Sequence, residues 1–139
     1  MSDENDQMVM IEAYGPGSVI TAFMSDDVVA IASTSTLRQA AAALVEAGVG
    51  CLVVGSADAV VGVVTERDVL RAVAGGVDLV TTLVAAAEST DLKWATPDST
   101  VGEVIDEMMT NYVRHILVGE DRRLVGIVSM RDLLGAYVG

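Results

Sequence analysis

Lysine occurs once in this chain, at Lys93, and with seven arginines makes 8 basic residues against 20 acidic ones, a formal net charge of −12. A nucleic-acid binder neutralises phosphates with a basic face, which eight cations hardly supply, so that class is excluded. Cysteine also occurs once, at Cys51, ruling out an internal disulfide and any Cys-rich metal site. With a single histidine, His115, no Ser-His-Asp set and no metal-ligand cluster can be completed. The phosphate loop Gly-x-x-x-x-Gly-Lys-[Ser/Thr] is missing. No apolar run approaches the ~18–20 residues of a membrane span. The first residues, Met1-Ser2-Asp3-Glu4-Asn5-Asp6, are acidic where a secretory signal is basic. These absences predict a soluble, cytoplasmic chain that is not an enzyme, with no nucleic-acid or membrane partner.

What is present is apolar. The 139 residues, 52% of them hydrophobic, suffice for one compact domain burying about 68–70% of its unfolded surface. Asp supplies 12 of the acids, and Ala and Val fill most apolar positions. So acidic a surface suits either a high-salt cytoplasm or plain solubility.

The dominant feature is an internal repeat. A shift of 64 residues aligns Ser25–Leu70 with Ser89–Leu134 without a gap, and 13 of the 46 pairs are identical. Thirteen of the others exchange one apolar residue for another. Two copies are too few for a solenoid and fit a pseudo-symmetric pair sharing one core.

Each copy reads as β-α-β-β-α. A short apolar stretch, Val28–Ala32 or Leu92–Thr96, predicts a strand. A helix then opens on Thr36-x-x-Gln39 or Thr100-x-x-Glu103, both capping boxes. Its stripe is Leu37, Ala40, Ala41, Leu44, Val45 in one copy and Val101, Val104, Ile105, Met108, Met109 in the other. Two β-rich runs follow, Cys51–Val54 with Val60–Thr65, and Ile116–Val118 with Leu124–Ser129. Polar loops starting at Gly55 and Gly119 join them as hairpins. A closing helix starts near Thr65 or Ser129. The predicted divisions are an acidic tail and short leading segment (1–24), unit 1 (25–73), a connecting helix (74–88) and unit 2 (89–139). The connecting helix rests on Leu79, Val80, Leu83 and Val84, and a short helix is expected over Ser18 to Met24 after the Gly15-Pro16-Gly17 turn. Residues 1–7 read as a disordered tail, and Met8–Ala13 as an extra strand or an oligomer contact.

Both copies close on one motif, Gly62-Val63-Val64-Thr65-Glu66-Arg67-Asp68 and Gly126-Ile127-Val128-Ser129-Met130-Arg131-Asp132. Val113-Arg114-His115-Ile116 precedes the second hairpin. Together these resemble the cystathionine-β-synthase (CBS) domain, a pair of which forms a Bateman module. The resemblance covers roughly Ser25 to Val138, with Leu117 where the family pattern has Pro. It implies an α/β (α+β) fold of two CBS units packed as one Bateman module. It also implies a regulatory role, no required cofactor, and an adenosine-containing ligand (AMP, ADP, ATP, or else NAD or S-adenosylmethionine) in clefts between the copies. The receiving protein is not legible.

The residues suit such a ligand. Asp68 and Asp132 would hold the ribose diol, since a carboxylate offers two acceptors. Thr65 and Ser129, at helix starts, would meet phosphate oxygens, with Arg67 and Arg131 adding charge-assisted bonds. Arg114 and His115 stand where the first copy has Gly50 and Cys51, so the two sites should differ. Family members imply sites composite across copies, which would set Arg114 opposite Asp68. The competing reading is structural: Thr65-x-x-Asp68 and Ser129-x-x-Asp132 are also capping patterns, and His115 is also read as a hydrogen-bonded strand residue. Cys51 reads as a small buried hydrophobe, and Trp94 as core packing or an adenine-stacking surface.

Helices Thr36–Ala47 and Thr100–Asn111 carry more apolar positions than one face needs, predicting a homodimer buried through them. The alternative to a sensor is a nucleotide-free dimerisation scaffold.

Overall fold

The structure is a computed structural model and describes residues 15–138; the expectations for residues 1–7 and Met8–Ala13 fall outside the described residues. Six strands and four α-helices follow the order β-α-β-β-α twice: β1 Ala30–Ile31, α1 Leu37–Ala47, β2 Cys51–Ser56, β3 Ala59–Thr65, α2 Glu66–Ala74, then β4 Trp94–Ala95, α3 Val101–Asn111, β5 His115–Glu120, β6 Arg123–Ser129 and α4 Met130–Val138. They form two three-stranded sheets, ordered β1-β2-β3 and β4-β5-β6. In each, the short first strand runs parallel to the second; Ala30 faces Val53 and Trp94 faces Leu117.

Both capping boxes form. The Gln39 N–H donates to Thr36 Oγ1 (3.1 Å) while Gln39 Oε1 accepts from the Thr36 N–H (2.9 Å). Thr100 and Glu103 repeat the exchange at 3.3 and 3.2 Å. Helix α1 buries Leu37, Ala40 and Leu44, and α3 buries Val101, Val104 and Met108, the stripe a 3.6-residue period demands.

Three details differ from the sequence expectations. The leading strands are two residues long because Ser35 N–H bonds back to Ala32 C=O, and Ser99 N–H to Thr96 C=O, turning the chain toward the caps. Gly55 and Gly119 lie inside strands rather than opening loops. The turns fall at 57–58 and 121–122, where Asp121 and Arg122 both take positive φ, as a two-residue mirror turn requires.

The third difference is the largest. Residues 78–87 are turns and a short 3₁₀ helix, Val84–Ala86, rather than a connecting helix; Ser18 to Met24 likewise yields only Ile20–Ala22. Their carbonyls serve other donors. Leu79 C=O and Thr82 C=O accept from Arg38 and Leu37 N–H, both at 2.9 Å. Pro16 C=O and Ser18 C=O accept from Gly102 and Val101 N–H at 2.9 and 2.8 Å. Helix N-termini leave such donors unpaired, and here these segments satisfy them.

The two leading segments are exchanged between the copies. Residues 27–92, with 121–124, form one compact unit; residues 15–26 join 93–120 and 125–138 in the other. Val84 is fully buried among Leu37, Ala40, Leu44, Leu52, Val54, Val64 and Val69. Ile20 is fully buried among Val101, Val104, Met108, Ile116, Val118, Val128 and Leu133. Ser89 pairs antiparallel with Val63 on the free edge of β3, and Ser25 with Ile127 on β6.

These bridges need Gly62 and Gly126. A Cβ on Gly62 would sit 2.7 Å from Ser89 O, and one on Gly126 would sit 2.8 Å from Ser25 O and 2.7 Å from Met24 Sδ. Gly126→Ala should therefore lower the melting temperature by an amount equivalent to about 1–3 kcal/mol. Gly135→Ala in α4, whose Cβ meets nothing nearer than Phe23 at 3.9 Å, should raise it by about 0.5–1 kcal/mol. Thermal unfolding of the two variants checks this; equal effects would mean the close approach carries no weight.

Candidate functional site

Each repeated motif lies where the last strand of a sheet turns into the closing helix. Thr65 is the N-cap of α2: Asp68 N–H donates to its Oγ1 (3.3 Å), and Asp68 Oδ2 accepts from both Thr65 N–H (2.8 Å) and Thr65 Oγ1–H (3.0 Å). In the other unit Asp132 Oδ2 accepts from Ser129 N–H (3.0 Å), and Ser129 Oγ accepts from Asp132 N–H (3.0 Å). The capping reading is correct for both aspartates. Anions in the first turn also suit the helix dipole.

Capping occupies only one oxygen of each carboxylate. Asp68 Oδ1 stands 3.9 Å from Arg71 Nη1, a loose contact. Asp132 Oδ1 has no hydrogen-bond partner among the described residues. Arg67 and Arg131, in the first turns of α2 and α4, are exposed, as is Arg114. None of these three arginines is paired with a carboxylate among the described residues.

The structure gathers Arg114, His115, Ser129, Arg131 and Asp132 at one end of one unit. Met130 N–H donates to Arg114 C=O (2.8 Å), tying the strand start of β5 to the helix start of α4. Thr65, Arg67 and Asp68 occupy the matching place in the other unit, where Glu66 N–H donates to Gly50 C=O (3.0 Å) and Cys51 faces Thr65 across the β2–β3 ladder. His115 opens β5 half-buried. Trp94 is half-buried on β4.

Cys51 is buried as expected. Burial, and then the nearby Asp68 carboxylate, push its thiol up to about 12; a thiol so placed is no nucleophile near neutrality. Since the folded state keeps a proton that the unfolded chain loses near pH 9, stability is intact below that pH and falls as pH rises toward 12. The slope is at most ~1.4 kcal/mol per pH unit. Urea unfolding of wild type and Cys51→Val at pH 8 and 10.5 should show the alkaline loss reduced in the variant; equal losses would refute it.

The positions missed at the sequence level are Ser25 and Ser89, which hold the edges of β6 and β3 beside the motifs, with Gly62 and Gly126 making room. A signal was available: both Ser and Gly are identical across the repeat. Glu88 was also missed. Its Oε2 is buried and has no hydrogen-bond partner among the described residues, and Gly62 lies beside it, a Cβ there falling 3.1 Å away. No group of three or more His, Cys, Asp or Glu among the described residues is placed to hold a metal ion. No described helix is long and apolar enough to cross a membrane.

The sequence pattern of the CBS domain matches residues 19–75 and 84–139, so the chain belongs to the CBS-domain family. The first of these matches begins at the leading segment. An uncharacterised 17.7 kDa protein of Acidianus ambivalens is 37% identical over 105 residues, which are 74% of this chain and 63% of that one; the chain thus spans less than two thirds of that relative. A crystal structure of an uncharacterised conserved protein from Pyrococcus horikoshii superposes with TM-score 0.81 at 28% identity, covering 88% of this chain and 93% of that one. A CBS domain protein from Pyrobaculum aerophilum, solved in complex with AMP, gives 0.74 at 26% identity over 87% and 99% of the two chains.

Proposed function

We propose that this chain is a non-catalytic regulatory module of the cytoplasm that binds an adenosine-containing ligand, of the AMP, ADP or ATP class or else NAD or S-adenosylmethionine. The observation that carries the reading is the half-used carboxylate of Asp132. One oxygen caps α4, while the other lacks a partner among the described residues, in a motif that also holds Ser129 and Arg131, with Arg114 beside it. A carboxylate oxygen suits a ribose hydroxyl, and hydroxyl, backbone N–H and guanidinium groups suit phosphate. The AMP complex of the Pyrobaculum aerophilum relative supports an adenosine-containing ligand; the proposed contacts in the other motif are Asp68, Thr65 and Arg67, with His115 beside Arg114 as a further one. The buried, protonated Cys51 supports a binding role over nucleophilic catalysis. A specific observation also favours the scaffold reading: both aspartates have a structural task without any ligand.

Calorimetry separates the two. AMP should bind more tightly than 2′-deoxy-AMP, because the deoxy compound leaves an acceptor unpaired at ~1–3 kcal/mol. Asp132→Asn keeps an acceptor for the cap and should weaken AMP about tenfold or more with little change in the melting temperature of the free protein. Asp132→Ala should lose ~0.5–2 kcal/mol of stability as well. If AMP, ATP, NAD and S-adenosylmethionine all fail to bind or to raise the melting temperature, the scaffold reading replaces the sensor.

The proposed module is a homodimer. The interface expected through α1 and α3 keeps exposed apolar residues there, Val45 at 83% and Met109 at 66%, and the closing helices extend it. The equivalent residues Leu70 of α2 and Leu134 of α4 remain 66% and 52% exposed, with Val73 beside Leu70. Light scattering should give twice 14.4 kDa for wild type and half of that for Leu70→Asp/Leu134→Asp. A wild-type monomer at micromolar concentration would remove the dimer.

A further inference from the structure

The two motifs share a backbone and differ in what they leave unspent. In the Ser129 motif, Asp132 Oδ2 accepts only the Ser129 N–H (3.0 Å), and the Ser129 hydroxyl hydrogen has no acceptor among the described residues. In the Thr65 motif, Asp68 Oδ2 accepts twice, from Thr65 N–H (2.8 Å) and from Thr65 Oγ1–H (3.0 Å). Thr65 has therefore committed its hydroxyl donor, and Asp68 keeps only Oδ1 for an incoming hydroxyl. A ribose diol brings a pair of them.

What stands beside that oxygen also differs. Arg71 Nη1 lies 3.9 Å from Asp68 Oδ1, with the arginine side chain 71% exposed and the aspartate side chain 15%. That separation is too long for a hydrogen bond, so the guanidinium keeps its whole fork of N–H donors. A shift of 64 residues puts Gly135 at this place in the other motif. The Phe23 ring lies 3.9 Å from a Cβ built on Gly135, whereas the repeat puts Ala87 at the equivalent of Phe23. A long cationic side chain and a small partner position in one unit answer to a glycine and an aromatic ring in the other.

Resting on the adenosine reading above, we propose that the Thr65 motif takes an adenosine ligand carrying a phosphate on the ribose 2′ or 3′ oxygen, with Arg71 as the residue that selects it. Asp68 Oδ1 would accept the remaining ribose hydroxyl. The Arg71 fork would hold the phosphate on the adjacent oxygen through charge-assisted bonds. Dinucleotide-binding folds divide the same way: an acidic residue reads a free ribose hydroxyl, and a nearby arginine admits a phosphate in its place. The Ser129 motif disfavours such a ligand, because the phosphate would meet the Asp132 carboxylate with no cation at position 135 to offset it. It keeps its acceptors for an unmodified diol.

The test uses the full chain, ¹⁵N-labelled, with AMP, adenosine 2′,5′-bisphosphate and adenosine 3′,5′-bisphosphate as probes. Calorimetry gives the affinities, and amide shifts at residues 65–71 and 129–135 give the location. At least one bisphosphate should bind the Thr65 motif about tenfold or more tighter than AMP does, and the one that does so fixes the position of the phosphate. Arg71→Gln should reduce that preference to less than about twofold, and Arg71→Lys, which keeps the charge without the fork, should retain part of it. An exposed pair at 3.9 Å adds little to folding, so the melting temperatures of both free variants should stay near that of wild type. Arg38→Gln removes a cation from α1, controls for the net charge of −12, and should leave the preference intact. Equal affinity for AMP and both bisphosphates in wild type would overturn the proposal. So would a preference that survives Arg71→Gln, or one lost equally in Arg38→Gln. AMP shifts at 129–135 without any bisphosphate response at 65–71 would end this inference and leave the adenosine reading standing. Failure of all three probes to bind would end both.

Discussion

Two backbone bridges, Ser89 to Val63 and Ser25 to Ile127, hold the motif ends of this fold in place. Each lays a leading segment on the otherwise open edge of a three-stranded sheet, where unpaired N–H and C=O groups would invite association. The contact is close enough that the sheet residue next to each bridge must be glycine, Gly62 or Gly126. Further along the same segments, carbonyls cap the first N–H groups of α1 and α3, and Val84 and Ile20 plug the cores. Edge, helix start and core are thus all closed by a stretch with almost no regular structure of its own. The exchange also explains why the family pattern starts at residue 19, well before the first strand.

The same economy governs the motifs. Asp68 and Asp132 each spend one carboxylate oxygen on the helix cap. That bond fixes the side chain, so the remaining oxygen is presented at a set place without further loss of rotamer freedom. Preorganisation of this kind is what a ligand site needs, and it makes capping and ribose contact compatible. The motifs are equal in backbone and unequal in surroundings. Arg114 and His115 accompany Asp132, while Gly50 and Cys51 accompany Asp68, whose carboxylate raises the Cys51 thiol further.

Duplication separates what folding demands from what it merely tolerates. Buried positions of α1 and α3 changed only among apolar residues, because each must fill a core of fixed depth. Their outer faces were under no such constraint, and one became acidic and aromatic. The difference between Gly48 and Tyr112 at the same left-handed cap shows that backbone preference alone did not choose the residue at 112.

Patterns set by neighbours in the chain were legible in the sequence. The repeat, both capping boxes, the apolar stripes of α1 and α3 and the hairpins depend on contacts within a few residues or on simple periods, and residue types carry them. The aspartates were legible as caps or contacts, and geometry showed that one oxygen settles the first role and leaves the second open. The stretch from Asp78 to Ala87 has helical spacing yet is not a helix, since its carbonyls serve donors on α1 some forty residues earlier. Nothing local encodes such a bond. Strand β1 stops at two residues because the chain must turn to deliver Thr36, and Gly55 stays within its strand through a bulge in the pairing with β3. The exchange of leading segments, and with it the meaning of Gly62 and Gly126, arose only when distant backbone met backbone, since hydrogen bonding between main chains is blind to side-chain identity except where a side chain has to be absent.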